Sequence, residues 1–166
     1  MFEYSIGPFF DEKSNILILG SFPSVKSREE NFYYANKQNR FWKVLAQVFK
    51  DQVPESESEK KDFLTAHRIA LWDVIASCEI LGSSDASIKN VTPSDISLIL
   101  KNAPIEKLVL NGKKAAQLFY RNQGSALPLR NCRAQVIEVY ELPSTSPANA
   151  AFSLDALIAH WSIISK

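Results

Sequence analysis

Residues 15–42 read NILILGSFPSVKSREENFYYANKQNRFW, and this stretch decides the fold. It opens on an unbroken apolar run, residues 16–19, stopped by Gly20, with Pro23 fixing a turn just beyond. A run apolar at every position predicts a strand buried on both faces, as in a parallel sheet. In an open α/β sheet, the loop leaving the carboxyl end of such a strand is the usual place for a ligand. This loop is polar and carries adjacent tyrosines, Tyr33 and Tyr34, before Asn39, Arg40, Phe41 and Trp42 open a helical pattern. Loops of this length inside compact domains are usually functional. Tyrosine rings, amides and bases in one loop suit a flat, hydrogen-bonding ligand such as a nucleobase. The same residues also fit a surface loop whose aromatics fold into the core, and here the two readings stand level.

A length of 166 residues predicts one domain, 1–166, large enough for a sizeable core. Apolar content of 46% and charged content of 22% are those of an ordinary globular protein. No apolar run approaches the roughly 20 residues that span a bilayer, and the first residues lack the pattern of a secretory signal. A cytoplasmic protein is expected, nucleoid-associated in a prokaryote, with no membrane partner. Cys78 and Cys132 have no metal-ligand spacing, and a reducing compartment disfavours a disulfide between them. His67 and His160 are the only histidines, so a histidine metal site and a Ser-His-Asp triad are not expected.

Net charge is +1, but the charges are segregated. Five acids fall between Asp51 and Asp62. Residues 107–137 hold no acid and six bases, Lys107, Lys113, Lys114, Arg121, Arg130 and Arg133. Residues 31–50 are also acid-free and hold Lys37, Arg40, Lys43 and Lys50. Together these stretches could form a phosphate-facing surface, although any single lysine is more simply a solvated helix residue.

Along the chain, residues 1–14 form a lead-in whose Phe9 and Phe10 pack against the sheet edge. Phe41, Leu45, Val48 and Phe49 recur at helical spacing over about 40–49. Ser56 and Glu59 form a capping box for a charged helix reaching about residue 67 and facing away from any DNA. Residues 69–74, IALWDV, are a second strand. Asp73 stands at its carboxyl end, where facing the crevice and capping a turn both remain open. Residues 82–90 are a polar, mobile loop. Thr92 and Pro93 look like a helix cap and first-turn proline, predicting a helix to about 101. A third strand, 107–110, runs into Asn111 and Gly112 and a following helix. A fourth, 134–140, leads into LPSTSPANA, residues 142–150. Its run of small hydroxyls between prolines suits phosphate oxygens. A last helix covers about 153–164. The pattern is α/β, a helix-sheet-helix sandwich. Three strand ends converge on one edge, at Gly20, Asn111 and Leu142.

With those loops placed, the chain resembles the uracil-DNA glycosylase superfamily over nearly its whole length. The resemblance rests on ILGSFPS, YYANKQNRFWKVL, LNGKKA and LPSTSPANA, in that order and each at a strand end. It is closest to the branch of hypoxanthine-DNA (deoxyinosine) glycosylases. The resemblance implies a three-layer sandwich around a four-stranded parallel sheet, no metal or other cofactor, and a base flipped out of double-stranded DNA at a deaminated or mismatched pair by a monomer.

Residue by residue, Gly20, Ser21, Phe22 and Pro23 fall on the water-activating motif, where many relatives carry Asp or Asn in place of Phe22. Asn39 is expected to take over catalysis. Tyr34 matches the aromatic that stacks the flipped base, and Asn111 the asparagine that reads its edge. Lys113, Ser144, Thr145, Ser146 and Pro147 are expected on the DNA strand. Leu142 stands where relatives often carry a His or Asn donor to the leaving base, which counts against uracil excision. The implied activity is monofunctional hydrolysis of the N-glycosidic bond, with hypoxanthine the first expected base. Alternatives are a mismatch-specific uracil or thymine glycosylase, a lesion-binding protein without catalysis, and a small nucleotide-binding domain, the last opposed by the missing glycine-rich phosphate loop.

Overall fold

The computed structural model describes residues 2–166. In chain order it forms β1 (Phe2–Tyr4), β2 (Ile16–Gly20), α1 (Val25–Glu30), α2 (Phe41–Val48), α3 (Glu57–Ala66), β3 (Ile69–Asp73) and β4 (Ile75–Glu79). It continues through β5 (Lys89–Pro93), α4 (Ser97–Leu100), β6 (Lys107–Asn111), α5 (Lys113–Gln123), β7 (Glu138–Leu142) and α6 (Leu154–Trp161).

The centre is a four-stranded parallel sheet of order β3-β2-β6-β7. All five residues of β2 are buried, as the continuous apolar run requires of an inner strand covered on both faces. Successive side chains alternate between two cores. Ile16 and Ile18 join Phe41, Leu45, Phe63, Leu64, Leu157 and Trp161 of α2, α3 and α6. Leu17 and Leu19 join Ile99, Leu100, Ala115, Leu118 and Phe119 of α4 and α5 on the other side. The expected α/β/α layering therefore follows from the alternation. Register sets the functional edge, because Gly20 pairs with Asp73 and Asn111 with Leu142, bringing the strand ends level.

Several local expectations need correction. The loop after β2 contains α1, which has no apolar stripe to announce it and buries only Ser27. It is held by local chemistry: the Ser24 side chain caps Ser27 N–H, and Asn31 closes the helix at φ 54°. A second, antiparallel sheet of order β1-β4-β5 was not expected at all. Its strands are short and its edges exposed, so no strong periodicity marks them. Thr92 and Pro93 end β5, paired with Ser77 and Ile75, and do not start a helix. A residue before proline prefers extended backbone, and proline is tolerated on an edge strand, so the same dipeptide serves both structures. Helix α4 begins later, with Asp95 Oδ1 accepting from Ser97 N–H at 3.2 Å. The fourth parallel strand is Glu138–Leu142, later than the expected 134–140, since Ala134 turns at φ 62°. The capping box at Ser56 is present, with Ser56 Oγ accepting from Glu59 N–H and donating to Glu59 Oε1, both at 3.0 Å. Cys78 and Cys132 are free.

Candidate active site

The carboxyl edge of the parallel sheet opens into a cleft of about 270 Å³, lined by Gly20–Ser24, Tyr33, Tyr34, Asn39, Asp73, Asp85, Asn111 and residues 144–148. Its volume lies at the small end for ligand pockets. The cleft brings together Gly20, Ser21, Phe22, Pro23, Tyr34, Asn39, Asn111, Ser144, Thr145, Ser146 and Pro147. Lys113 stands exposed at the start of α5, one residue beyond Gly112.

Tyr34 is fixed on three sides. Its ring stacks on Phe41 with centroids 3.7 Å apart and planes 10° from parallel. Its carbonyl accepts from Trp42 Nε1 at 3.1 Å, and its hydroxyl accepts from Asn111 Nδ2 at 3.2 Å. Its backbone is left-handed, at φ 52°, a conformation that a bulky residue rarely holds without support. Burial, then the neighbouring Asp73, pushes the phenol's pKa upward, so Tyr34 stays neutral. The NRFW segment therefore builds the seat for Tyr34 as well as the start of α2.

Asn39 Oδ1 caps that helix by accepting from Phe41 N–H at 3.0 Å. A carbonyl oxygen has a second lone pair and the amide two further donors, so capping does not exhaust the side chain. Asn111 is more committed. Its Nδ2 donates to Tyr34 and to Thr145 Oγ1, both at 3.2 Å, and its Oδ1 accepts from Thr145 N–H at 3.1 Å. Thr145 is fully buried. It cannot present its hydroxyl to DNA as the sequence led us to expect, and serves as the inner anchor of its loop. Ser144 is half-buried and Pro147 exposed on the same loop.

Arg40 also departs from expectation. The sequence puts it among bases facing phosphate, but its guanidinium turns onto the late loop, donating to the carbonyls of Ser146 at 2.9 Å, Asn149 at 3.0 Å and Phe152. Its own N–H donates to Thr145 O at 3.0 Å. Lys107 is likewise withdrawn, onto the carbonyls of Ile163 and Ile164 at 3.2 Å and of Lys166. The phosphate-facing surface thus loses two of its expected members. Lys37, Lys43 and Lys60 instead border a second groove that shares Tyr34, Asn36 and Asn39 with the cleft. Lys60 belongs to α3, so that helix does not face wholly away from the site.

Two carboxyl groups complete the cleft. Asp73 is 3% exposed and accepts from Ser5 Oγ at 3.0 Å. Burial above all, then the charge of Asp85, pushes its pKa up to about 7, against the lowering effect of Ser5. A Cβ on Gly20 would lie 2.7 Å from Asp73 Oδ1 and 3.3 Å from the Tyr34 hydroxyl, so only glycine leaves room for both groups. Asp85 accepts from Ser21 Oγ at 2.9 Å. Its loop, expected to be mobile, is tied down where Val25 N–H meets Ser83 Oγ at 3.0 Å and Arg28 Nη2 meets Gly82 O at 2.7 Å. Nothing in the sequence of the 82–90 loop singles out Asp85, and its contact with Ser21 brings it to the border of the site. Neither histidine borders the cleft.

Residues 8–162 match the uracil DNA glycosylase superfamily. A hypoxanthine DNA glycosylase of Methanosarcina acetivorans is 36% identical over 145 residues, covering 86% of this chain and 85% of that one. A hypoxanthine DNA glycosylase of Methanosarcina barkeri is 34% identical over 112 residues, 66% of this chain and 71% of that one. The solution NMR structure of a candidate uracil DNA glycosylase from Methanosarcina acetivorans superposes with a TM-score of 0.80 at 29% identity, over 99% of this chain and 96% of that one. A family match over most of the chain, joined to this sheet order and this cleft, makes the chain a member of the uracil DNA glycosylase superfamily.

Proposed function

We propose that the protein is a monofunctional DNA glycosylase that releases hypoxanthine from deoxyinosine in double-stranded DNA, acting as a monomer. The observation that carries this reading is the convergence of Tyr34, Asn39, Asn111 and the 144–147 loop on one cleft. The two Methanosarcina relatives named hypoxanthine DNA glycosylases support the choice of base. The cleft is lined by no lysine, the residue type that would favour an amine nucleophile and a covalent intermediate.

In this reading a base flipped from the duplex lies against Tyr34. Stacking on an aromatic is worth about 1–3 kcal/mol, against a flipping cost of a few kcal/mol that is least at a damaged or mismatched pair. The ring is already held by Phe41, Trp42 and Asn111, so little ordering is left for the base to impose. Asn39 orients water through the free lone pair of Oδ1; an amide has no useful pKa, so its role is positioning. Asn111 reads the base edge with the lone pair that Thr145 leaves open. Ser144, Ser146 and Pro147 hold the strand, and Lys113 contacts a flanking phosphate. Phe22 closes the apolar wall of the cleft, where Arg28 lies 5.3 Å over its ring.

The test is single-turnover cleavage of a duplex containing one deoxyinosine, with parallel uracil, thymine-mismatch and xanthine duplexes. Hypoxanthine release that drops at least about 100-fold in Asn39→Ala supports the reading. Release of uracil or thymine alone points to the mismatch reading, and tight lesion binding without an abasic product to a non-catalytic protein.

A further inference from the structure

We propose that Asp73 is the proton donor to the departing base, an assignment that rests on the glycosylase reading above. Its carboxyl group ends β3 opposite Gly20, lines the cleft beside Tyr34 and is almost completely buried. Its one hydrogen-bond donor is Ser5 Oγ, and it forms no ion pair among the described residues. A buried carboxylate with a single hydroxyl donor is poorly compensated and takes up a proton.

The titratable groups around it reinforce that state. Tyr33 and Tyr34, from the loop before α2, are neutral phenols whose own pKa values are raised by burial and by Asp73. Asp85, from the one-turn helix Asp85–Ser87, contributes a like charge. With its pKa pushed up to about 7, the carboxyl group is poised to exchange a proton at neutral pH. No histidine, lysine or cysteine lines the cleft, and the other carboxyl, Asp85, whose pKa desolvation also raises, is exposed and held by Ser21 at the rim.

The reaction balances with water alone. As the bond between the sugar C1′ and the base nitrogen breaks, its electron pair enters the base. The Asp73 proton moves to a ring nitrogen or carbonyl oxygen of that base, which leaves neutral. Water adds to C1′ and gives up one proton, and a proton from solvent restores the acid. Leu142 occupies the position where the superfamily resemblance leads one to look for a donor to the base. Asp73 supplies that function from a different strand.

Single-turnover rates from about pH 5 to about pH 9, for the wild-type chain and Asp73→Asn, test the assignment. The wild-type rate is expected to be level at low pH and to fall by about tenfold per pH unit above the carboxyl's apparent pKa. Asp73→Asn should be about 100-fold slower or more, lack that alkaline limb, and still bind the lesion duplex within about threefold of wild type. A variant with wild-type rate and an intact alkaline limb overturns the assignment, as does a slow variant that keeps that limb. The wild-type limb is read without any variant, so its absence also counts against the donor. If the wild-type chain releases no base from the whole panel, the glycosylase reading and this assignment fall together. If it releases hypoxanthine while Asp73→Asn matches it, only the assignment falls.

Discussion

Asp73 carries a second consequence that is independent of catalysis. Its carboxyl pKa rises from 3.8 to about 7 on folding, chiefly through burial. Between those values the folded chain keeps a proton that the unfolded chain has lost, so stability falls as pH rises through that window. Below about pH 4 both states are protonated and the group contributes nothing; above about pH 7 its cost reaches up to about 4 kcal/mol. Asp73→Asn is therefore expected to stabilise the protein at about pH 8 by roughly 2–4 kcal/mol and to leave it unchanged near pH 4. Urea melts at the two pH values check this, and equal effects at both would reject the linkage. Tyr34→Ala is expected to weaken binding to a lesion duplex by about 1–3 kcal/mol, with little change on undamaged duplex. Fluorescence anisotropy with both probes separates the two. The residues alone marked the loop after β2 and the strand end at Asn111, the resemblance assigned roles to Tyr34, Asn39 and Asn111, and the cleft contains all three. The sequence left Asp73 undecided, because whether a strand-end acid faces a cation, water or a closed crevice depends on neighbours far away in sequence, here Ser5 and Gly20. Thr145 is hidden from sequence reasoning in the same way, since its burial is set by Asn111 and Arg40.

At the scale of the element, the late loop is the part most dependent on distant contacts. Residues 142–152 contain no regular structure after β7, yet they are held from three directions. Arg40 binds three of their carbonyls, Trp161 Nε1 donates to Pro143 O at 2.9 Å, and Gly112 packs against Ser144. A Cβ on Gly112 would lie 2.9 Å from Ser144 Cβ, and the φ of 99° is itself unfavourable for other residues. Arg40→Ala removes a half-buried guanidinium and leaves those carbonyls without their donors, so a loss of about 1–3 kcal/mol in stability is expected. Arg40→Lys should recover little of it, because one ammonium cannot span three acceptors in the geometry of a guanidinium. Thermal melts of the two variants, with single-turnover rates beside them, check both points. The apolar strands and the helices capped at Ser56 and Ser153 were legible because their signals are local: periodicity and a hydroxyl one residue before the first turn. The β1-β4-β5 sheet was not. Its strands have three to five residues and mixed burial, so pairing rather than pattern defines them.

For the molecule as a whole, the question is how a chain of net charge +1 holds a polyanion. Counting bases along the sequence exaggerates the available surface, because Arg40 and Lys107 are engaged by the chain's own carbonyls. What remains near the cleft is a small set: Lys113 at the start of α5, and Lys37 and Lys43 beside the neighbouring groove, whose third lysine, Lys60, lies 5.4 Å over the Trp42 ring. Against it stands Asp85, exposed at the rim, which repels phosphate at the cleft mouth while a neutral base enters. Each phosphate neutralised adds about 0.9 to the slope of log affinity against log salt. With about three contacts, duplex binding should weaken roughly 40-fold between about 50 mM and about 200 mM salt. Lys113→Ala is expected to lower the slope by about one contact's worth, and Lys37→Ala or Lys43→Ala likewise, each equally on lesion and undamaged duplex. Arg40→Met should leave the slope unchanged even where it lowers stability, since its charge faces loop carbonyls and not solvent. A salt titration of these four variants, on folded protein well below the melting temperature, distinguishes a short basic rim from a broad basic face. A slope that falls with Arg40→Met, or a wild-type slope of six or more contacts, would mean that DNA reaches surfaces beyond this cleft and its groove.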